Sequence, residues 1–230
     1  MVTNGKNHAQ PAAVLFSAGL DSAVMLAQEA ARGRPHPIYV RAGLAWEAEE
    51  SAAAARLLAS APFAGAVEPA VALTVDMRDV YPAHHWAVRG EAPGFDTPDE
   101  DVYIDGRNVV LLAKASVHAA RARLTRILLG PLAGNPFPDA TPAFFAAMAR
   151  ALSLGLDSAI AIETPLAAMH KADVIRLGAS LEVPFELTLS CMQPRDGLHC
   201  GRCSKCRERR EGFLEAGIAD PTRYREKPPR

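Results

Sequence analysis

Four cysteines near the C-terminal end are the residues whose type and spacing most clearly point to chemistry. They are the only cysteines of the chain, and they are Cys191, Cys200, Cys203 and Cys206. Two successive Cys-x2-Cys steps let three thiolates converge from one turn, and the first cysteine can close a tetrahedron from a preceding loop. The spacing predicts a metal site. Structural zinc is favoured over an iron–sulfur cluster, because ferredoxins place a further cysteine C-terminally, before a proline.

A second chemical signal is a short loop that follows the first apolar run. Its sequence, Ser-Ala-Gly-Leu-Asp-Ser, opens a helix, so backbone N–H groups and the positive end of the helix dipole can meet an anion. Neither the Walker A pattern nor the dinucleotide fingerprint is present. An ordinary strand–helix turn is the alternative, but the position directly after a strand favours phosphate binding. The residues predicted to bind ATP here are Phe16, Ser17, Ala18, Gly19, Leu20, Asp21 and Ser22.

Asp21 is an unusual neighbour for a phosphate. A carboxylate at this position either caps the helix or holds Mg²⁺. Ser17 and Ser22 can donate hydroxyl hydrogen bonds to phosphate oxygens. The loop therefore predicts a site for a nucleotide together with a magnesium ion.

Short apolar runs alternate with longer amphipathic ones along the chain, which is typical of a doubly wound parallel α/β sheet. Strands are predicted over residues 13–16, 37–42, 71–75, 126–130 and 159–162. Helices are predicted over residues 21–31, 46–59, 111–122, 142–154, 171–181 and 204–216, with Gly217 as a helix cap. The predicted architecture is a five-stranded sheet domain over residues 1–185 and a small zinc-binding helical segment over residues 186–230.

Ligands of open α/β sheets bind beyond the carboxyl ends of the strands. We therefore expect the loop, residues 41–43, residues 130–135 and residues 163–166 to line one cleft. Residues 79–107 have several prolines and no sustained periodicity, and a loop of this length in a compact domain is usually functional or disordered. This segment is predicted to be a lid that becomes ordered when substrate binds.

Composition excludes several classes of protein. The net charge of −1 argues against stable nucleic-acid binding, although residues 195–230 are locally basic. No stretch approaches the roughly 20 apolar residues that span a bilayer. Residues 1–10 are polar and the apolar run after them is too short for a secretory signal. We therefore expect a cytoplasmic location, where clustered cysteines more often bind metal than pair as disulfides.

Taken together, these motifs resemble the 7-cyano-7-deazaguanine synthase (QueC, or ExsB) family of the PP-loop ATP pyrophosphatases, whose fold is similar to that of the adenine-nucleotide alpha-hydrolases. The resemblance runs from about residue 13 to residue 224. It is carried by residues 16–22, residues 106–108, residues 163–166 with Lys171, and most specifically by the Cys-containing stretch of residues 186–222.

The resemblance implies an ATP-dependent carbon–nitrogen ligase of queuosine biosynthesis, with Mg²⁺ and structural zinc. Its partners would be a small-molecule carboxylate, 7-carboxy-7-deazaguanine, and ammonia. The carboxylate would become an amide and then a nitrile, each through an adenylate that releases pyrophosphate, because AMP turns a poor electrophile into one with a good leaving group.

The resemblance also assigns roles to single residues. Lys171, Arg107 and Asp21 are the predicted catalytic residues. Arg41 is a further predicted ATP contact, from its position at the carboxyl end of the second strand. The predicted substrate contacts are Trp46, Asn108, Asp139 and Thr164. Each of three residues also has an alternative role without a function in the site. Lys171 could be a solvated helix residue, Arg107 could form an ion pair at the start of a helix, and Trp46 could be a hydrophobic anchor.

Several positions depart from the family pattern. Ala18 replaces a glycine, which is tolerable if this residue avoids positive φ. Residues 43–46 lack the usual Gln-Arg-His, and residues 132–142 lack an aspartate and an arginine expected to read the base; His170 stands where serine is common. Lost polar partners weaken discrimination between bases. We therefore expect efficiency on free 7-carboxy-7-deazaguanine below that of a typical member.

These departures leave alternatives open. One is a divergent member that adenylates another carboxylate or delivers a deazaguanine to a different acceptor. A tRNA-modifying PP-loop enzyme and a non-catalytic nucleotide-binding module are less favoured. The sequence also leaves open whether the product is an amide or a nitrile, and whether the protein is a homodimer.

Overall fold

The computed structural model describes residues 10–229, so the predictions for residues 1–9 and for Arg230 lie outside it. Five strands form one parallel sheet in the order β3-β2-β1-β4-β5. The strands are β1 (Ala12–Leu15), β2 (His36–Arg41), β3 (Val71–Thr74), β4 (Arg126–Leu128) and β5 (Ala161–Glu163). The predicted five-stranded parallel α/β fold is confirmed, and each strand lies within two residues of its predicted bounds.

The two faces of the sheet bury different sets of helices. Val14 and its even-numbered neighbours pack on one side with residues of the first, second and sixth helices. Ala13 and Leu15 point to the other side and pack with residues of the fourth and fifth helices. This alternation follows from the two-residue period of a strand, and burial on both faces explains why all four residues of β1 are apolar.

Seven helices lie within the described residues. They are α1 (Leu20–Ala30), α2 (Glu47–Leu58), α3 (Trp86–Arg89), α4 (Arg107–Arg121), α5 (Pro142–Leu156), α6 (Lys171–Ser180) and α7 (Ser204–Ala216). The largest difference from the predicted bounds is at α4, which begins four residues early. Its start is fixed by Gly106, whose φ of +68° turns the chain into the helix. This early start places Arg107 and Asn108 in the first helical turn.

The strand order decides where a ligand can bind. The chain runs from β1 outward to β2 and β3, and then crosses back to β4 on the other side of β1. Loops that leave β1 and β4 therefore separate in opposite directions and open a crevice at the carboxyl ends of these strands. The predicted phosphate loop, residues 17–22, follows β1 directly at this crevice.

The C-terminal segment packs into the same core as the sheet. Cys191, Cys206 and Phe213 are buried among residues of β1 and α1. Helix α7 packs along α6, and Gly217 ends it with a φ of +70°, as predicted for a cap. The proposed boundary between residues 185 and 186 stays a prediction. Within residues 10–229, no helix has the length and apolarity needed to cross a membrane.

Two helical glycines give a test of this packing. A methyl group at Gly178 of α6 would lie 2.6 Å from Val24 of α1 and 2.6 Å from Phe185, whereas one at Gly155 of α5 would meet nothing within 4 Å. We expect Gly178→Ala to destabilise the protein by about 1–3 kcal/mol through overpacking. Gly155→Ala should stabilise it by about 0.5–1 kcal/mol, because alanine favours the helix. Urea unfolding measures both, and equal stability of the two variants would contradict the packing.

Candidate active site

The phosphate loop is held in shape by its own serines. The backbone N–H of Ser17 donates to Oγ of Ser22 at 3.3 Å, and that hydroxyl donates to the carbonyl of Gly19 at 3.0 Å. Gly19 is the N-terminal cap of α1, and its N–H donates to Oγ of Ser17 at 3.4 Å. The first turn of α1 leaves its N–H groups without helical acceptors, so the loop presents donors to an anion.

Ala18 does not avoid positive φ. Its φ is +59°, so the condition under which alanine would be a neutral replacement for glycine is not met. A non-glycine residue in this region is strained by roughly 1 kcal/mol. The strain is balanced by contacts: Ala18 is completely buried, and its carbonyl accepts a hydrogen bond of 2.8 Å from the N–H of Leu189. This bond ties the loop to the segment that leads into Cys191.

Lys171 joins three helices at the mouth of the loop. Its Nζ lies 2.7 and 2.6 Å from the two carboxylate oxygens of Asp21 in α1, and 2.7 Å from a carboxylate oxygen of Glu208 in α7. Lys205 binds the other oxygen of Glu208 at 2.7 Å. Asp21 therefore does not cap α1 in this state. Lys171 begins α6, where the N–H of His170 donates to Asp173.

Charge pairing sets the ionisation of this network. Burial alone would lower the pKa of Lys171, but the carboxylates of Asp21 and Glu208 outweigh it and raise the pKa above its usual value. Burial would likewise raise the pKa of Glu208, yet the ammonium groups of Lys171 and Lys205 hold it well below its usual range. Lys171 and Glu208 are therefore both charged at neutral pH, and Lys171 is a fixed positive charge beside the loop.

A cavity of about 290 Å³ extends from the phosphate loop along the ends of β1, β2 and β4. We call it the sheet-edge cavity. Arg107 lines it, and the Nε of Arg107 is buried without a hydrogen-bond partner among the described residues. A buried donor of a charged group without an acceptor is costly. The cavity therefore fits an anionic ligand such as the phosphates of a nucleotide.

Asn108 and Asp139 meet each other in the sheet-edge cavity. The Asp139 carboxylate accepts the backbone N–H of Asn108 at 2.9 Å, and the Asn108 amide donates to the carbonyl of Asp139 at 3.0 Å. Burial raises the pKa of Asp139, and the hydrogen bonds from Asn108 oppose that rise. Asp139 thus caps the start of α4. Both of these predicted substrate contacts line the same cavity as the phosphate loop.

A second cavity, of about 220 Å³, adjoins the first. Trp46 and Trp86 lie in its wall with ring centroids 5.7 Å apart and planes 14° from parallel, so we call it the tryptophan cavity. Trp46 is 5% exposed and precedes α2, where it is both an anchor in the core and part of the wall. Ser17, Asp21 and Arg107 line both cavities. The two cavities therefore meet at the phosphate loop.

The tryptophan cavity also contains a buried carboxylate. Glu50 is 8% exposed and accepts a hydrogen bond of 2.7 Å from the hydroxyl of Tyr39. Burial raises the pKa of Glu50 to about 7, against the opposing effects of Arg107 and the Tyr39 hydroxyl. Burial next to Glu50 also raises the pKa of Tyr39 above its usual value. This carboxyl group titrates close to neutral pH.

Three predicted site residues do not line the two cavities, and one of them is the completely buried Ala18. Arg41 ends β2 with an exposed side chain, and Thr164 follows β5 half-buried; neither lines the two cavities. Residues 41–43 and 163–166 line neither cavity, so fewer of the loops that follow the strands form the cleft than predicted. Phe16 and Ile38 to Val40 line the sheet-edge cavity, and Leu20 lines the tryptophan cavity. The predicted ATP contact of Arg41 has no support in this placement.

The segment predicted to be a lid is tied to the cysteine-rich segment. Residues 94 and 203 form an isolated β-bridge, and the guanidinium of Arg207 donates to the carbonyl of Phe95 at 2.8 Å. Tyr81 donates to the carbonyl of Asp105 at 2.8 Å. The segment contains α3 and a short 3-10 helix at Asp99–Val102. Its closure over a substrate stays a prediction.

The four cysteines converge as a metal site requires. All four sulfurs are buried and lie within 4.8 Å of one another. Three of the S–S distances are 3.5, 3.8 and 3.9 Å, and a tetrahedron of four bonds of about 2.3 Å has edges of about 3.8 Å. Backbone N–H groups of Gln193 and Cys200 donate to the sulfur of Cys191 at 3.3 and 3.2 Å, as they do for thiolate ligands. The cluster can hold a metal ion.

Two buried side chains support this cluster without joining it. His199 accepts the N–H of Ser190 through Nε2 at 3.1 Å, so that nitrogen is not directed at the sulfurs. Arg209 is 1% exposed and donates to Thr188, to Ser190 and to the carbonyl of Phe185. These bonds fix the segment before Cys191 against α7.

Sequence reasoning missed four residues of the site: Glu50, Trp86, Lys205 and Glu208. Glu50 follows Trp46 by four positions in a helix, so the two share a face, and this spacing could have revealed it. Lys205 lies between the predicted metal ligands Cys203 and Cys206, and this position could have suggested that Lys205 reaches the site. Trp86 and Glu208 reach the site only through tertiary packing, which no local pattern predicts.

The parallel sheet, the phosphate loop at its switch point and the tetracysteine cluster define a PP-loop α/β protein. The family profile described as "Queuosine biosynthesis protein QueC" matches residues 11–217. This chain belongs to the QueC family.

Relatives named 7-cyano-7-deazaguanine synthase are similar to this chain over nearly its whole length. The protein of Solidesulfovibrio magneticus is 35% identical over 94% of this chain and 96% of its own. That of Anaeromyxobacter dehalogenans is 35% identical over 95% and 97%, respectively. That of Thiobacillus denitrificans is 39% identical over 93% and 97%. The similarity covers both the sheet and the cysteine-rich segment.

The cysteine geometry gives a prediction about the metal. We expect about one zinc per chain and no visible absorption band, measured by elemental analysis and spectroscopy of the purified protein. Cys203→Ser should remove most of the stability of the C-terminal segment, because metal binding there contributes folding free energy. A brown protein with absorbance near about 400 nm would identify an iron–sulfur cluster instead.

The raised pKa of Glu50 predicts a pH dependence of stability. The pKa of Glu50 is about 7 in the folded protein and an ordinary 4.5 in an unfolded chain, so stability falls as pH rises between these values. Arg107 and the hydrogen bond from the Tyr39 hydroxyl lower the pKa of Glu50, and the charge of Glu47 raises it. Between pH 5 and pH 8, the wild-type free energy of unfolding should fall by roughly 2–3 kcal/mol more than that of Glu50→Gln. Parallel curves in urea unfolding would contradict this assignment.

Proposed function

We propose that this protein is a 7-cyano-7-deazaguanine synthase, an ATP-dependent ligase that converts 7-carboxy-7-deazaguanine and ammonia to the nitrile. Family membership and full-length similarity to proteins of that name support this activity. The observation that carries it is the junction of two cavities at Ser17, Asp21 and Arg107, with Lys171 beside it. At such a junction, a nucleotide in one cavity and a carboxylate in the other would meet beside the charged groups of Arg107 and Lys171.

The sheet-edge cavity would take ATP. The loop donors and the helix dipole of α1 would bind the phosphates, and the guanidinium of Arg107 would find the acceptor that it lacks. Lys171 would neutralise charge that develops as the phosphate bond breaks. Asp21 is the carboxylate placed to hold Mg²⁺ beside the phosphates. Asn108 and Asp139, which face the same cavity, would shape its wall.

The tryptophan cavity would take the deazaguanine. Its flat wall of Trp46 and Trp86 suits stacking of a bicyclic base. ATP supplies the AMP group, which bonds to a carboxylate oxygen as pyrophosphate leaves. Ammonia then displaces AMP to give the amide, with loss of a proton. Activating the amide oxygen in the same way, with loss of pyrophosphate, and then losing AMP and both amide protons gives the nitrile.

The same proposal covers the other partners. Zinc would occupy the tetracysteine cluster as a structural ion, and Mg²⁺ would accompany ATP. A divergent activity on another carboxylate is not favoured, because the similarity to the synthases covers the segments that form both cavities. The homodimer and the cytoplasmic location stay predictions.

Turnover tests the proposal. Wild-type protein incubated with 7-carboxy-7-deazaguanine, ATP, Mg²⁺ and ammonia should release two pyrophosphates per nitrile, measured by a coupled phosphate assay and by mass spectrometry. Ser22→Ala and Asp21→Ala should each lower kcat/KM by at least about 100-fold, because they remove groups that face the phosphates. Ser180→Ala, which removes a hydroxyl at the far end of α6, should leave turnover unchanged.

Two results would count against the proposal. One is full turnover by a correctly folded Asp21→Ala or Ser22→Ala variant. The other is a wild-type kcat/KM on 7-carboxy-7-deazaguanine that lies below the value for another heteroaromatic carboxylate in a panel of analogues.

A further inference from the structure

The tryptophan cavity has a buried carboxylate among the groups that line it. Glu50, one helical turn after Trp46, lines this cavity together with Ser17, Asp21 and Lys171. The sequence comparison had indicated that groups for reading the base were lost from residues 43–46 and 132–142. Glu50 lies outside both segments, so its buried carboxylate can replace one of the lost groups in the wall of the tryptophan cavity.

The carboxylate has acceptor capacity beyond its protein contacts. An ionised carboxylate can accept about four hydrogen bonds. The hydroxyl of Tyr39 donates to one oxygen at 2.7 Å, and the side chain of Trp46 adds a second interaction that favours the ionised form. No ion pair within 4.0 Å involves Glu50 among residues 10–229. A ligand with two adjacent N–H donors can therefore bind to this carboxylate.

We propose that Glu50 determines specificity by accepting hydrogen bonds from the ring N–H and the adjacent exocyclic amino group of the deazaguanine. The base would stack on the tryptophan wall, and its 7-carboxylate would point towards Arg107 and Lys171. This inference rests on the proposed function and names the residue that recognises its substrate. A buried acceptor that a substrate leaves without a donor disfavours that substrate by factors of about 10⁴ in the strongest cases.

The competing explanation is that Glu50 only accepts the Tyr39 hydroxyl inside the core. Glu50→Gln separates the two explanations. The glutamine keeps an oxygen for the Tyr39 hydroxyl, but it replaces the second acceptor with an NH₂ donor that opposes the donors of the base. A purely structural role would leave base recognition unchanged in this variant.

The chain has only two tryptophans, and both line this cavity. Quenching of intrinsic fluorescence therefore reports binding there directly, without turnover. The probes are 7-carboxy-7-deazaguanine and its analogue without the 2-amino group, each titrated into the zinc-containing full-length protein. A non-hydrolysable ATP analogue, followed by calorimetry, monitors the adjoining cavity.

We expect Glu50→Gln to weaken binding of 7-carboxy-7-deazaguanine by about 100-fold, the value of two lost buried hydrogen bonds. Binding of the analogue, which keeps only the ring N–H, should weaken by about tenfold, and affinity for the ATP analogue should not change. Glu49→Gln is the matched control: its carboxylate accepts the N–H groups of Asp196 and Gly197, outside the cavity. This control should bind both bases as the wild type does.

A second variant keeps the test decisive if Glu50→Gln does not fold. Glu50→Asp retains the charge and withdraws the carboxylate, so it should also lose affinity for 7-carboxy-7-deazaguanine more than for the analogue. Equal loss for both bases, or no loss for either, would overturn the assignment of Glu50 while leaving the synthase activity standing. A wild-type protein that neither binds nor converts 7-carboxy-7-deazaguanine would overturn both proposals.

Discussion

The arrangement of the site depends on the ion pairs that the ammonium group of Lys171 makes. It is 15% exposed and binds carboxylates from two other helices, Asp21 of α1 and Glu208 of α7. A buried charge that loses one partner destabilises a protein strongly, so these helices must keep their relative positions. Gly212 of α7 makes the approach feasible, because any Cβ there would collide with the stem of Lys171. One cation thus fixes the phosphate loop, the start of α6 and the cysteine-rich segment.

The metal cluster extends this constraint. Cys203 is the N-terminal cap of α7 and Cys206 lies in its first turn, so an ion bound to both sulfurs fixes where the helix begins. Glu208 follows within the same helix and therefore reaches Lys171 in a defined position. On the other side, the N–H of Leu189 binds the carbonyl of Ala18 just before Cys191. An ion held by the four cysteines would in this way be coupled to the geometry of the phosphate loop.

Local patterns predicted most of the fold and the outline of the site. Short apolar runs, capping glycines and cysteine spacing are encoded within a few residues, so the five strands and the metal cluster could be read directly. The conformation of Ala18 could not, because its positive φ is held by burial and by Leu189. Glu50 was missed for a similar reason: a glutamate in an acidic helix reads as solvated until tertiary contacts with Tyr39 bury it. Arg41 was placed by strand position alone, which does not determine where a side chain points.

The charge of the site explains why ATP and Mg²⁺ should bind together in the proposed reaction. Without ligand, Asp21 and Glu208 balance Lys171 and Lys205, and no charge of this network is left uncompensated. A nucleotide alone would bring its phosphates against the carboxylate of Asp21, which repels them. Mg²⁺ would take over that carboxylate, and Lys171 would then turn its released hydrogen-bond donors to the phosphates. The ion pair with Asp21 therefore keeps Lys171 charged and positioned beside the phosphate loop, as the proposed reaction requires.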